Sequence, residues 1–247
     1  MSLFPLDPKL VMSEVYSLYF TETKEVVREL RMHPDFDKWF DEAWLGRENG
    51  VPAEYLETWR TWSGLPLDGY PHRYVGNGSS EIIRELMQPR YDGGPTILTF
   101  DGEYDGYGHV SLAHGLGAPI KICRPRYGGQ IDIPLDRSLQ RHDVRPVFWI
   151  SQPSALDGEY QYGIQAVIDR ITRPYPQARF VIDVSYHGLT KAPEFMPELL
   201  DPRISAVVFS LSKVFGLYKW RVGGVFSREP IPGLAYNHHF NGHFGLK

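Results

Sequence analysis

What most constrains the fold of this chain is a series of short apolar runs, each too brief to be a helix of ordinary length, with helically spaced segments between them. Residues 96–100, 119–123, 147–151, 180–186, 206–209 and 222–226 read as six strands. Ile82, Ile83, Leu86 and Met87 mark one intervening helix; a second runs from about Tyr107 to Gly115 and a third over 164–175. Apolar strands alternating with helices predict an α/β fold, a three-layer α-β-α domain whose mostly parallel sheet is covered on both faces. Ligands of such sheets lie beyond the strand ends, where the loops gather.

The chain divides into three parts on this reading. Residues 1–69 form a helical N-terminal segment, with helices predicted over 9–32, 36–45 and 52–62 and a break at Pro34. It reads as a lid, an arm or a subunit contact; its tryptophans, Trp39, Trp44, Trp59 and Trp62, are expected to pack internally. Residues 70–227 form the large domain. Residues 228–247 form a tail with His238, His239 and His243, expected to be a solvated terminus rather than a metal site.

Composition narrows the function classes. A net charge of −4 without a basic block argues against nucleic acid as a partner. A single cysteine, Cys123, excludes an internal disulfide framework. No apolar run is long enough to cross a bilayer, and the first residues lack the pattern of a signal peptide, so the expected location is cytoplasmic.

Four loops carry groups that belong together chemically. After Tyr74-Val75 comes Gly76-Asn77-Gly78-Ser79-Ser80, a tight turn whose serines are expected to cap the next helix and whose backbone N–H groups suit an anion. Tyr104 follows the strand at 96–100. The run at 180–186 brings Asp183 and Tyr186 to a strand end. After Ala206-Val207-Val208-Phe209 comes Ser210-Leu211-Ser212-Lys213, with Arg221 eight positions past the lysine. Burial lowers a lysine pKa toward the range where the neutral amine is a nucleophile; the plainer alternative is a lysine snorkelling from a strand end. A phosphorylated pyridine aldehyde needs this whole set: N–H groups, hydroxyls and an arginine fork for phosphate, an aromatic face for the ring, a carboxylate for the ring nitrogen and an amine for the aldehyde.

The block Ser210-Leu211-Ser212-Lys213-Val214-Phe215-Gly216-Leu217 with Arg221-Val222-Gly223 resembles the lysine motif of fold-type I pyridoxal-phosphate enzymes, nearest the class I/II aminotransferases. The likeness covers roughly residues 70–227. It implies a pyridoxal 5'-phosphate cofactor and a Schiff base on Lys213, with Asp183 on the pyridinium nitrogen and Tyr186 on the ring's phenolic oxygen. It further implies Tyr104 stacked on the ring, and phosphate held by Gly78, Ser79, Ser80, Ser210 and Arg221, with Ser212 a weaker candidate. An amino-acid substrate and a homodimer are expected. Two departures stand beside the likeness. The family's phenolic-oxygen asparagine aligns with Ala155 in Gln152-Pro153-Ser154-Ala155-Leu156-Asp157-Gly158, where Ser154 and Gln152 are the candidate substitutes and loss of the contact is the alternative. The chain also stops soon after the arginine, so the small C-terminal domain is expected to be absent, truncated or supplied by another chain. Arg73, Arg124, Arg126 and Lys219 are the candidates for gripping a substrate carboxylate. A non-catalytic accessory protein, or a lyase or oxidase on the same cofactor, is the alternative function; a nucleotide-binding protein using the glycine turn is weaker, because it leaves Lys213, Asp183 and Arg221 unexplained.

Overall fold

The computed structural model describes residues 21–35, 38, 50–88, 95–123, 146–161, 163–189 and 196–240. Its elements are α1 (Thr21–Met32), α2 (Gly50–Ser63), β1 (His72–Gly76), α3 (Ser79–Leu86), β2 (Thr96–Phe100), α4 (Gly106–Ala113), β3 (Ile120–Ile122), β4 (Pro146–Ser151), α5 (Ile164–Thr172), β5 (Arg179–Asp183), β6 (Ile204–Ser210), the single turn α6 (Leu211–Val214), β7 (Gly223–Ser227) and α7 (Pro232–Phe240). Among the described residues the strands form one seven-stranded sheet in the order β1-β7-β6-β5-β4-β2-β3. β2 to β6 are mutually parallel, and β7 runs antiparallel between β6 and β1.

Both sheet faces are apolar, which is why the strands read as near-continuous hydrophobic runs. Successive side chains point to opposite faces. Phe148, Ile150, Phe180, Ile182, Val207, Phe209 and Phe226 join one core with Leu56 and Trp59 of α2 and Ile164, Val167, Ile168 and Ile171 of α5. Trp149, Val181, Ala206, Val208 and Val225 join the other with Ile82 and Ile83 of α3, Tyr107 of α4 and Leu234 of α7. Trp59 is buried and stacks on Phe209 at 3.8 Å and 13°, a pair contributing about 0.5–1.5 kcal/mol beyond its buried area. Trp62 is 45% exposed and packs by its other side against Trp59, His187 and Phe215. α1 buries no residue.

The structure corrects several sequence expectations. β1 was not anticipated as a strand: it is a partly polar edge, His72-Arg73-Tyr74-Val75-Gly76, lacking the apolar run of a central strand. β5 stops at Asp183, because the Ser185 N–H turns onto Asp183 Oδ1 (2.9 Å) instead of continuing the ladder. Ser79 and Ser80 do not cap α3; Gly78 is the N-cap at φ +73°, and no side chain bonds there as a cap. The tail is helical over Pro232–Phe240, with Ile231 and Leu234 buried. All of the helix expected over 36–45 except Lys38 lies outside the described residues, as do Trp39, Trp44 and the first part of 9–32.

Candidate active site

The topology brings the chemistry to one sheet edge. β2, β4, β5 and β6 all end there, and their C-terminal residues lead into Tyr104, Ser151, Asp183 and Ser210. Because β7 is antiparallel, its first residue is at the same edge: Gly223 pairs with Ser210 on one side and with Gly76 on the other. Arg221 therefore enters from the start of β7 beside the turn that leaves β1. The approach is close. A Cβ on Gly223 would sit 2.6 Å from the Phe209 carbonyl oxygen and 2.9 Å from the Gly78 carbonyl carbon, so only glycine fits.

Lys213 rides on α6, whose first turn is fixed by Ser210. The Ser210 hydroxyl accepts the Ser212 N–H at 3.2 Å, and the Leu211 N–H donates to the Val222 carbonyl at 3.0 Å. Lys213 Nζ stands 5.7 Å from the Tyr186 ring centroid. Burial, the largest influence, lowers its pKa from 10.5 to about 8; Arg221 pushes the same way and the negative charge of Asp183 opposes both. At that value a minor share of the amine is neutral near pH 7, more than for an exposed lysine.

Asp183 is buried. Its Oδ2 accepts the Tyr107 hydroxyl at 2.9 Å and its Oδ1 accepts the Ser185 N–H at 2.9 Å. Burial raises its pKa, while these bonds and the positive charge of Lys213 hold it down. Tyr107 is fully buried and its phenol is pushed well above its usual pKa, first by burial and then by Asp183, so it stays a donor. Tyr107 was missed in the sequence; it sits three positions after Tyr104 at helical spacing and reads there as core. Tyr104 packs edge-on against it, ring centroids 5.5 Å apart at 89°.

The phosphate-type cradle lies on the other side of Lys213. Arg221 adopts a left-handed backbone (φ +50°, ψ +51°), a strained conformation for a residue with a side chain. Its guanidinium donates to the Asn77 carbonyl and to the Ser80 hydroxyl, each at 3.3 Å, and lies over the Tyr218 ring at 5.6 Å. A Cβ on Gly78 would come within 2.8 Å of Arg221 Nη2. Arg221 is thus held beside the N-terminus of α3, where no side chain bonds as a cap. The Ser212 hydroxyl is buried without a hydrogen-bond partner, although the sequence made it the weaker phosphate candidate. An orphaned buried hydroxyl, an uncapped helix N-terminus, an arginine fork and a buried carboxylate fit a phosphorylated pyridine aldehyde.

Not every expected residue joins this set. Ser154 is buried but holds its own loop, its hydroxyl accepting the Leu156 N–H at 3.1 Å. Gln152 does not substitute for an asparagine: its amide is spent closing that loop, accepting the Gln161 N–H and donating to the Gln161 carbonyl, both at 2.9 Å. Arg73 pairs with Glu57 at 3.2 Å and lies over the Phe226 ring, a structural post on β1. Arg124, Arg126 and the Lys219 side chain lie outside the described residues, as do the side chains of His238 and His239. Among the described residues no cluster of three metal-ligating side chains occurs, and no helix is long and apolar enough to cross a membrane.

Comparison with known proteins places the fold. No protein-family model matches the chain. It is 24% identical over 174 residues to a histidinol-phosphate aminotransferase of Symbiobacterium thermophilum, covering 69% of this chain and 45% of that protein. A 26% match over 127 residues to the major capsid protein of human herpesvirus 7 spans only 9% of that protein. Among solved structures, the aromatic aminotransferase of Pyrococcus horikoshii superposes with a TM-score of 0.59 at 16% identity, over 85% of this chain and 61% of that one. The L-threonine-O-3-phosphate decarboxylase of Porphyromonas gingivalis superposes with a TM-score of 0.61 at 14% identity, over 91% and 63%. The fold is that of the pyridoxal-phosphate-dependent transferases, as the lysine motif implied, and the chain spans about half the length of the curated aminotransferases it matches.

Proposed function

We propose that this chain is a pyridoxal-phosphate-dependent enzyme of the aminotransferase type, acting on an amino acid through Lys213. One observation carries the reading: a lysine amine lowered to about 8 stands at the same strand-end edge as a buried, hydrogen-bonded carboxylate and a strained arginine at a helix N-terminus. When bound, the cofactor supplies an aldehyde for amine exchange and a cationic ring that accepts electrons from the substrate's α-carbon.

The chain's own residues divide the remaining work. Lys213 Nζ would serve as the nucleophile toward the aldehyde and as the general base at the substrate's α-carbon. Asp183 would accept the ring-nitrogen proton; donation from Tyr107 and from the Ser185 N–H opposes the upward push of burial on its pKa. Arg221, Ser80 and the N–H group of Ser79 would hold the phosphate, with Ser210 and Ser212 beside them; Gly78 would serve by its close approach, since its own N–H donates to the Gly76 carbonyl at 2.8 Å. Tyr104 would supply the ring face, and Tyr186 would serve the phenolic oxygen. With Ala155 where an asparagine is expected and Gln152 engaged in its own loop, that contact would fall to Tyr186, with Ser154 as the remaining candidate. A homodimer completes the reading, and the exposed Trp62, Tyr218 and Trp220 agree with a further surface covering this region.

The test is the absorption spectrum of the purified protein with pyridoxal 5'-phosphate. A visible band that disappears in Lys213→Ala supports the reading; a protein that stays colourless overturns it. Adding a panel of amino acids then decides the activity. Conversion to the 2-oxo acid marks transamination, loss of carbon dioxide or of a side-chain group marks another fate of the carbanion, and a band unmoved by every amino acid marks an accessory, non-catalytic protein.

A further inference from the structure

His187 lies one residue past Tyr186 and four past Asp183, yet none of the cofactor contacts proposed above requires it. It is buried, and both ring nitrogens are engaged across long sequence distances. Nε2 stands 3.0 Å from the carbonyl oxygen of Ser63, at the end of α2, and Nδ1 stands 2.7 Å from the hydroxyl of Tyr160, in the loop after β4. A carbonyl only accepts, so Nε2 carries the proton; in the neutral ring Nδ1 then accepts from Tyr160. Burial lowers the histidine's pKa, in keeping with that neutral form.

Tyr160 thus holds the turn through the imidazole itself. Trp62 meets the His187 ring edge-on at 5.8 Å and reaches Phe215 at 4.9 Å, two positions past Lys213. A Cβ on Gly188 would fall 2.8 Å from Trp62 and 2.9 Å from Val214. The imidazole therefore joins three segments at one point: the end of α2, the loop after β4, and the turn that presents Tyr186 to Lys213.

We propose that His187 is a positioning residue: through Tyr160 and the Ser63 carbonyl it sets the place of the Tyr186 hydroxyl relative to the Lys213 amine, and so tunes the electronic state of a cofactor bound there. The inference rests on the function proposed above, through the role given to Tyr186. A phenyl ring in place of the imidazole would fill its space but release both the carbonyl and the phenol.

The experiment compares wild type, Tyr160→Phe, His187→Phe and the double variant, each loaded with pyridoxal 5'-phosphate. Its readouts are the pH midpoint of the visible band and the melting temperature of the protein. Tyr160→Phe removes one oxygen and is the decisive variant if His187→Phe does not fold. The expected result is a midpoint displaced by about one unit, a spread that folded environments commonly impose, in the same direction in both single variants. The double variant should move no further than either single one, as befits residues acting as a unit. Single variants that keep the wild-type midpoint, whatever their melting temperature, overturn this inference and leave the functional reading standing. A wild type with no visible band overturns both.

Discussion

Asp183 and Asp201 lie at opposite edges of the same sheet, one at the end of β5 and the other just before β6. Asp201 is answered inside the protein. Arg203 donates to both its oxygens, Gln165 donates at 2.8 Å, and the same guanidinium reaches Asp169 and Thr172. The Arg203 bonds, above all else, hold the Asp201 carboxyl far below the usual range. Asp183 has neutral donors and a lysine's charge nearby, and burial still raises it. On the proposed function, the contrast is between a structural carboxylate and one held ready for a ligand. At the Asp201 edge charges are cancelled locally. At the Asp183 edge, Lys213, Asp183 and the Ser212 hydroxyl carry a cost that a bound cation-ring phosphate would relieve.

If that contrast holds, the two edges respond oppositely to substitution. The largest effect belongs to Lys213→Met, which should abolish the visible band and all turnover yet raise the melting temperature of the cofactor-free protein. The sign follows from linkage. The folded pKa of about 8 lies below the ordinary 10.5, so the folded state binds fewer protons between these values and wild-type stability rises with pH across them. The gain in the variant should therefore be full below pH 8 and fade through that window; a variant less stable than wild type at neutral pH would break the comparison.

Asp183→Asn should lower kcat/KM on the order of a hundredfold or more, since a developing charge loses its counter-ion. It too should stabilise the cofactor-free protein near neutrality. A carboxylate raised in the fold costs stability as pH climbs above its ordinary 3.8, so the gain should be absent in acid and present at neutral pH. Paired melting curves of wild type and variant across pH check this.

Arg221→Gly comes next. Loss of a charge-assisted phosphate contact should weaken cofactor binding roughly tenfold to a hundredfold. Glycine at φ +50° should relieve strain and return about 1 kcal/mol of stability. Titration with pyridoxal 5'-phosphate, together with denaturant unfolding, reads the two effects separately.

Asp201→Asn should have the smallest functional consequence: an unchanged visible band and unchanged turnover. Its cost is stability, about 1–3 kcal/mol for the lost charged hydrogen bonds. Because the folded pKa is depressed, the wild-type advantage exists above the ordinary 3.8 and is lost as pH falls below it. Denaturant curves at neutral and acid pH should therefore converge in acid.

Much of this was readable in the chain itself, for local reasons. Short continuous apolar runs marked β2, β4, β6 and β7 to within two residues at each end, and the spacing of Lys213 and Arg221 suggested the lysine motif. What escaped depends on partners remote in sequence. Tyr107 looks like core until sheet register places it 76 positions from its partner Asp183. β1 is polar enough to pass for a loop until it pairs with β7. Gln152 looked able to replace a missing asparagine until Gln161 proved to occupy its amide.

The sequence alone determined the alternation of strands and helices, and with it which loops share an edge, because periodicity and turn chemistry act over a few residues. Tertiary structure decided the charge state of Lys213, the donors on Asp183 and the His187 link between three segments. Those properties arise from desolvation and from hydrogen bonds between groups up to 124 positions apart, and neither burial nor distance exists until the sheet has assembled.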